Sequence, residues 1–249
     1  MPIRCRCVAI PVIDLDKIVT EPVPQSYVSV EKSVQSVEEN SIINKKGGTS
    51  LEQLSQARKK DHVFEITNFV IERVPVVNTP QFSKIQNNAL AALHREVLRV
   101  SKLENKGAEV ALVTNLSFDN PAKVLGTVNS VNYEINAEVR ALKLKSYRGE
   151  LIVVHNHPST RNFSFSDAAM FVFDEYVSTL SVVTNQGQVY VLQKLNTFDY
   201  DSAQKILQEL LIKYEISEYP KDEKRQAAAA KEFIKKAGKV GIWYGTSKK

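Results

Sequence analysis

The sequence has little cysteine and no long apolar run. Its two cysteines occur as Cys5-Arg6-Cys7, which cannot complete a cysteine-rich zinc site, and we interpret them as reduced thiols of a strand in residues 5–18. No stretch approaches the roughly 18 apolar residues that a bilayer span requires, so we expect no membrane association. Charged residues interrupt residues 1–20, so no signal peptide is expected and the sequence favours a cytoplasmic protein.

The charge balance is modest, at +5 for 249 residues, and the apolar and charged fractions of 43% and 24% are ordinary for a globular chain. The basic residues cluster late, at Lys221, Lys224, Arg225, Lys231, Lys235, Lys236, Lys239, Lys248 and Lys249. Such a stretch can attract nucleic acid or an acidic protein surface. A solvated helix face with a basic tail is the simpler interpretation.

The most informative segment is His155-Asn156-His157-Pro158 and the loop that follows it. The preceding run, Leu151-Ile152-Val153-Val154, is apolar and largely β-branched, which predicts a buried strand that ends at the histidines. Because side chains alternate along a strand, His155 and His157 point to the same face. The pattern therefore predicts two imidazole nitrogens presented together.

A carboxylate follows at a spacing that suits the same site. Ser164 is typical of a helix N-cap, Asp167 stands three residues later, and an apolar run follows. This places the carboxylate on the first turn of a helix over 167–177. Two histidines and one aspartate, with a position left for water, are the ligands of a catalytic zinc site, so we expect one Zn²⁺ per chain.

The order of predicted elements defines a core at 107–195. The predicted elements before the histidine strand are strands at Glu109–Val113 and Val124–Val131 and a helix at Ala137–Ser146. The helix that carries Asp167 follows the histidine strand, and after it comes a hairpin of Leu180–Thr184 and Gln188–Lys194. The sequence β-β-α-β-α-β-β predicts an α/β fold with a mixed sheet and flanking helices.

The flanking parts are predicted to be extensions of this core. Residues 1–106 read as an α+β segment with a short helix at 50–60, one or two strands within His62–Val77, and a long helix from Thr79-Pro80 to Gly107. Residues 196–249 read as helical, at Asp201–Tyr214 and Asp222–Lys236. The last aromatic segment, Gly241–Gly245, is able to dock on another surface.

The motif consists of two histidines, a short loop and then Ser-x-x-Asp, with a glutamate on an earlier strand. This combination resembles the signature of the JAMM/MPN metalloenzymes. His-Asn-His-Pro-Ser is similar to the RadC-like branch of that family. The resemblance covers roughly 107–195 and implies a cytidine-deaminase-like mixed sheet. It implies that His155, His157 and Asp167 bind zinc, that Glu109 accepts the proton of the attacking water, and that Ser164 stabilises the oxyanion.

Two features depart from the family pattern. The loop between His157 and Ser164 has six residues, one fewer than is usual in the family, and Thr160 stands where RadC-like proteins commonly have glycine. Loops absorb such changes without loss of the flanking elements. The departures bear on the reach of the serine more than on the zinc ligands.

The resemblance implies a zinc metallopeptidase that hydrolyses an amide bond in a protein or peptide, for this family often an isopeptide bond to a ubiquitin-like modifier. A larger assembly is a further expectation, and an association of RadC-like relatives with DNA gives weak support for nucleic acid. The alternative is a catalytically silent scaffold or a RadC-like DNA-associated protein. Retention of all four motif residue types favours the enzyme.

Other residues compete for two of these roles. Glu134, Glu138 and Glu150 are alternatives to Glu109 as the base, although the first two fall in or beside a predicted helix and the third adjoins the histidine strand. Ser166 is the alternative to the capping serine, but it lacks the three-residue spacing to the aspartate.

Overall fold

The fold is known from a computed structural model that describes residues 63–216 and 223–247, apart from the side chain of Glu223. The strand expected in residues 5–18, the helix expected at 50–60 and the cysteine pair lie outside these residues. The centre of the described part is a six-stranded sheet. Its strands are β1 (Val110–Thr114), β2 (Ala122–Leu125), β3 (Leu151–His157), β4 (Val177–Thr184), β5 (Val189–Lys194) and β6 (Ile242–Thr246).

The sheet is mixed, with the spatial order β2-β1-β3-β4-β5-β6. β3 and β4 run parallel, whereas every other neighbouring pair is antiparallel. The parallel pair is joined by a crossover through a helix, as parallel strands require. A mixed α/β fold with helices on the sheet is thereby confirmed, including the predicted order of elements between residues 107 and 195.

Six helices accompany the sheet in the described ranges. They are α1 (Asn68–Glu72), α2 (Lys84–Glu104), α3 (Ala137–Lys145), α4 (Phe165–Phe173), α5 (Tyr200–Lys213) and α6 (Glu223–Ala237), and a short 3₁₀ turn, Gly238–Val240, follows α6. Helix α2 covers one face of the sheet, and α4, α5 and α6 lie on the other. None of these helices combines the length and the apolar character that a membrane crossing needs.

Alternation along the strands divides the core into two layers. On β3, Ile152 and Val154 pack under α2, whereas Leu151 and Val153 pack toward α4 and α6. All seven residues of β3 are buried, as expected for a strand with covered faces and neighbours on both sides. The strand that carries the histidines is therefore covered on both faces and paired with a neighbouring strand on each side.

Helix α2 begins later than the sequence predicted. Thr79 is not its N-cap: Ser83 caps the helix, and Gln86 completes a capping box with it. The backbone N–H and the hydroxyl of Thr79 instead contact Oδ1 of Asn87, at 2.9 and 3.1 Å. Both threonine and serine suit an N-cap, and the Gln three residues after Ser83 is the signal that distinguishes them.

The prediction of strands within His62–Val77 was wrong for the described part, 63–77. That segment holds only the short helix α1, which Thr67 caps by accepting a hydrogen bond from the N–H of Val70. Four of its β-branched residues, Ile66 and Ile71 among them, are buried in the layer under α2, whereas Val76 is exposed. A high β-propensity reflects how well a side chain packs on a half-buried surface. It does not show that the segment pairs with another strand.

Several element boundaries also differ from prediction; for example, the strand expected at Leu180–Thr184 begins at Val177. The strand expected over Val124–Val131 ends at Leu125, because Gly126 begins a turn in which the N–H of Thr127 donates to the carbonyl of Ser130. A Cβ at Gly126 would lie 2.4 Å from that same carbonyl oxygen. The helix expected over 167–177 spans Phe165–Phe173.

The aromatic segment near the end of the chain forms the edge strand β6. It pairs antiparallel with β5, and Trp243 packs partly buried against the layer under α2. Gly241, which precedes β6, has φ of 72°, and a Cβ there would lie 2.3 Å from the carbonyl oxygen of Thr197. The surface on which this segment docks is therefore the chain's own sheet.

His94 of α2 is buried against the sheet, with Nε2 2.6 Å from Oγ of Ser181. Burial, with the charge of Arg95, lowers the pKa of His94 to about 3. The folded protein therefore excludes a proton that the unfolded chain binds below its ordinary pKa near 6.5. The contribution of His94 to stability is complete above pH 6.5 and declines as the pH falls toward 3.

We expect acid to destabilise the parent protein more than His94→Leu. Between pH 7 and pH 5 the parent should lose about 2 kcal/mol more than the variant, since each pH unit below the unfolded-state pKa costs about 1.4 kcal/mol. Urea unfolding at both pH values with a chelator present measures the two slopes. An equal loss of unfolding free energy in the two proteins would show that protonation of His94 does not destabilise the fold.

Candidate metal centre

The two histidines of the motif lie together at the end of β3. His155 and His157 are two residues apart on one strand and project to the same face, with their Nε2 atoms 3.0 Å apart. Their rings meet edge to face, with centroids 4.8 Å apart. Both side chains are buried, so the polar ring nitrogens face each other within the protein.

Helix α4 brings the carboxylate of Asp167 to these nitrogens. Oδ1 of Asp167 lies 3.4 Å from Nε2 of His155, and Oδ2 lies 3.5 Å from Nε2 of His157. Ser164 caps α4 as the sequence predicted, which places Asp167 on the first helical turn. The start of the helix therefore sets the position of the third side chain.

The capping serine also fixes the orientation of the carboxylate. The N–H and the hydroxyl of Ser164 each donate to Oδ2 of Asp167 at 2.7 Å, and the N–H of Asp167 donates to Oγ of Ser164 at 3.0 Å. The hydroxyl proton of Ser164 is thus directed at Asp167. Ser166, its rival, is exposed and lines the same cleft without a place in this hydrogen-bond set.

The three groups perturb one another strongly. Burial opposes the ionisation of Asp167, but the two imidazoles outweigh it and hold the pKa of that carboxyl well below its usual range. Burial lowers the pKa of His155. Burial acts in the same direction on His157, but its hydrogen bond to Asp167 and the charges of Asp167 and Glu109 raise the pKa of His157 to about 9. An anionic carboxylate between two imidazoles favours a cation at this point.

The loop after β3 orients the ring of His157. Nδ1 of His157 lies 3.1 Å from the carbonyl oxygen of Arg161, and a carbonyl can only accept, so Nδ1 is the donor. The other nitrogen, Nε2, is left to face His155 and Asp167. Metal-binding histidines commonly donate their second ring N–H in this way.

His155, His157 and Asp167 form a group that could hold a metal ion, and we call these three residues the metal group. One ligand atom from each of His155, His157 and Asp167 can be chosen so that all lie within 4.8 Å of one another, and all three residues are buried. The carboxylate comes from a different element than the two imidazoles. A site of this kind needs both the strand and the helix in place.

Glu109 lies next to this group, immediately before β1. β1 and β3 are antiparallel, with Ala111 opposite His155, so Glu109 comes beside His157. The Glu109 side chain is 8% exposed and lines the same cleft. Burial raises the pKa of Glu109 to about 7; the charge of His157 opposes the rise, and the charge of Asp167 adds to it. A carboxyl with a pKa near neutrality can both take up and release a proton.

The other candidate glutamates are placed differently. Glu150 accepts from the N–H of Tyr147, away from the metal group, and Glu138 is exposed on the first turn of α3. Glu134 does line the cleft, but it is exposed to solvent. Glu109 is the one of the four that is buried beside a candidate ligand.

Asn156 is a residue whose importance sequence reasoning missed. It lies between the histidines on β3 and points to the opposite face, where it is fully buried. Its Oδ1 accepts from the N–H of Val110 at 2.7 Å, and its Nδ2 lies 3.2 Å from the carbonyl oxygen of Ala108. These two residues flank Glu109. A single amide therefore connects the histidine strand to the backbone on both sides of Glu109.

The same amide reaches two further elements. Nδ2 of Asn156 lies 3.1 Å from Oγ of Ser101 on α2 and 2.9 Å from Oδ1 of Asn185, and Asn185 in turn donates to the carbonyl of Gly107. The signal available in the sequence was an amide between the two histidines, near the end of a strand predicted to be buried. Buried polar groups are almost always hydrogen-bonded, so such a residue predicts a network.

The metal group opens into a cleft of about 980 Å³. The turn after β2, the loop after β3, the first turn of α4, and α6 form its walls, and Tyr244 of β6 closes one side. The hydroxyl of Tyr244 accepts from Nδ2 of Asn162 at 2.9 Å, which ties the loop after β3 to the edge strand. A cleft of this size is large enough for several side chains of a peptide.

Comparison of the chain with protein-family models, with curated proteins and with solved structures finds no match.

We expect Asn156→Leu to destabilise the fold by about 3 kcal/mol. The apolar side chain is of similar size but leaves buried partners, the N–H of Val110 and the carbonyl of Ala108 among them, without hydrogen bonds. Urea unfolding of the parent and the variant measures the difference. Asn129→Leu, at an exposed position, is the control and should change stability by no more than about 0.5 kcal/mol. A similarly small effect of Asn156→Leu would contradict the assigned role.

Proposed function

We propose that the chain is a zinc-dependent metallopeptidase of the JAMM/MPN type, similar to the RadC-like branch, and that it hydrolyses an amide or isopeptide bond in a protein substrate. The observation that carries the proposal is the convergence of His155, His157 and Asp167 with Glu109 on one cleft. These residues come from three separate elements, and each is of the type that the reaction requires.

The donor set suits zinc. Ligands about 2.1 Å from a tetrahedral zinc ion lie about 3.4 Å from one another. Here the two imidazole nitrogens are 3.0 Å apart, and each lies 3.4 to 3.5 Å from a different oxygen of Asp167, Oδ1 for His155 and Oδ2 for His157. With a single atom taken from each residue, the three ligand atoms all lie within 4.8 Å of one another. Two imidazoles and one carboxylate also leave a fourth position for water or substrate, as in catalytic zinc sites.

The mechanism assigns the proton transfers to Glu109. A bound zinc supplies a Lewis acid that makes water nucleophilic near neutral pH. Glu109 accepts a proton from the water as the water oxygen attacks the carbonyl carbon of the substrate. It then delivers that proton to the amine nitrogen as the C–N bond breaks. Its raised pKa, about 7, suits both steps. The new carboxylic acid then ionises and its proton is taken up by the amine, so the products are a carboxylate and an ammonium group.

Ser164 has two roles open to it in this scheme. The resemblance implies an oxyanion donor, whereas the hydroxyl of Ser164 here donates to Asp167 at 2.7 Å. A hydroxyl that orients a ligand strengthens metal binding. A hydroxyl that turns to the oxyanion instead raises the rate of the chemical step. The two roles predict different results for the same substitution.

Metal content is the first test of the proposal. Protein purified without chelator should contain about one zinc per chain, and His155→Ala/His157→Ala should lose it, because half of a zinc site's usual four positions are then missing. Elemental analysis measures both. If the parent binds no zinc even after its addition at neutral pH, the hydrolase proposal fails and a scaffold role becomes the better account.

Glu109→Gln should retain zinc but lose about 10²- to 10⁴-fold in turnover, because the amide cannot carry the proton. The measurement is cleavage of peptide and isopeptide substrates by zinc-loaded protein. Glu134→Gln, the exposed glutamate in the same cleft, is the matched control and should keep the parent rate. Equal losses in both variants, or none in Glu109→Gln, would contradict the assignment of the base.

Ser164→Ala should weaken zinc binding about 10- to 100-fold if the serine orients Asp167. Competition with a chromogenic chelator measures the affinity. Ser166→Ala, on the same helical turn, is the control and should bind zinc as the parent does. Unchanged affinity in Ser164→Ala together with a lower turnover would assign the serine to the oxyanion instead.

A further inference from the structure

Helix α6 supplies one wall of the cleft and carries two lysines there. Lys231 and Lys235 are four residues apart, so they lie one turn apart on the same face of the helix, and both line the cleft. Both are exposed, and Ile234 lines the cleft beside them. This wall of the cleft therefore combines two positive charges with an apolar side chain.

Among the residues that the structure describes, the two lysines of the cleft have no acidic partner. Glu232 of α6 is engaged on the side that faces α5, where it accepts from Lys213 at 2.6 Å and from the hydroxyl of Tyr214 at 2.7 Å, and it pairs with Lys236 at 3.2 Å. Within the described residues, neither Lys231 nor Lys235 forms an ion pair or a side-chain hydrogen bond. The charges of this helix are thus paired on one side and unpaired on the side of the cleft.

The acidic side chains of the cleft lie at the metal group and in the segment just before α3. They are Glu109, Glu134 and Asp167. A long polyanion such as nucleic acid, passing through the cleft, would meet these carboxylates as well as the lysines. A peptide with an acidic side chain next to apolar residues complements both walls, since only its acidic part needs to meet α6.

We propose that Lys231 and Lys235 select a protein substrate with an acidic segment beside the bond to be cleaved. This inference rests on the proposed function for the position of that bond, and it adds the chemical class of the neighbouring residues. The carboxylates of the segment pair with the two ammonium groups, and an apolar neighbour packs on Ile234. The lysines are specificity residues and take no part in the proton transfers.

The test measures binding separately from hydrolysis. The probe is a fluorescein-labelled peptide in which glutamates flank a central leucine pair, and the reference is the same peptide with glutamine in place of glutamate. Fluorescence anisotropy with full-length protein at low salt and with a chelator present gives each Kd without turnover. We expect the acidic peptide to bind about tenfold more tightly than the reference and to lose this advantage at high salt.

The variant Lys231→Ala/Lys235→Ala should lose about tenfold in affinity for the acidic peptide and little for the reference. Lys205→Ala/Lys239→Ala is the matched control, because it removes the same charge from exposed positions outside the cleft, and it should change the Kd by less than about twofold. Equal effects of the two double variants would overturn the proposal, and so would the absence of acidic-peptide binding up to about 1 mM.

A single-stranded oligonucleotide of matched charge is the final arm. Tighter binding of the oligonucleotide than of the acidic peptide, with the same dependence on Lys231 and Lys235, would overturn the proposal in favour of nucleic acid. All of these binding measurements are made without metal, so their results do not depend on whether the protein binds zinc. The two proposals can therefore fail separately.

Discussion

The alternation of side chains along β3 is the constraint on which the rest of the site depends. His155 and His157 face the cleft because Asn156, between them, faces α2. A slip of one residue would exchange the faces, sending the two histidines into the apolar layer and the amide into the cleft. Neighbouring strands on both sides, with Ala111 opposite His155 and Val182 opposite it in β4, hold the register.

Burial then gives the site its electrostatic character. The same low exposure that raises the pKa of Glu109 strengthens the attraction between the Asp167 carboxylate and the two imidazoles. Ser164 contributes twice, since the hydrogen bonds that begin α4 are also those that orient Asp167. The same hydrogen bonds cap the helix and position the carboxylate of Asp167, so neither can change without the other.

Local signals predicted the core well and its surroundings less well. The order of elements from β1 to β5 is confirmed because each has its own period and its own boundary residues. The segment 63–77 was misread, since β-branched residues such as Ile66 and Ile71 suit any buried position and show no pairing partner. The start of α2 was misplaced because Thr79 and Ser83 are both acceptable caps, and the capping-box signal of Gln86, three residues after Ser83, was overlooked.

The sequence by itself determined that two imidazoles share a face and that a carboxylate follows on the first turn of a helix, because covalent spacing sets direction over a few residues. Only the tertiary structure decided that Glu109 lies beside His157, that Asn156 joins the backbone around it across 46 residues, and that α6 walls the cleft. Such contacts depend on chain closure and burial, and these are properties of the whole fold.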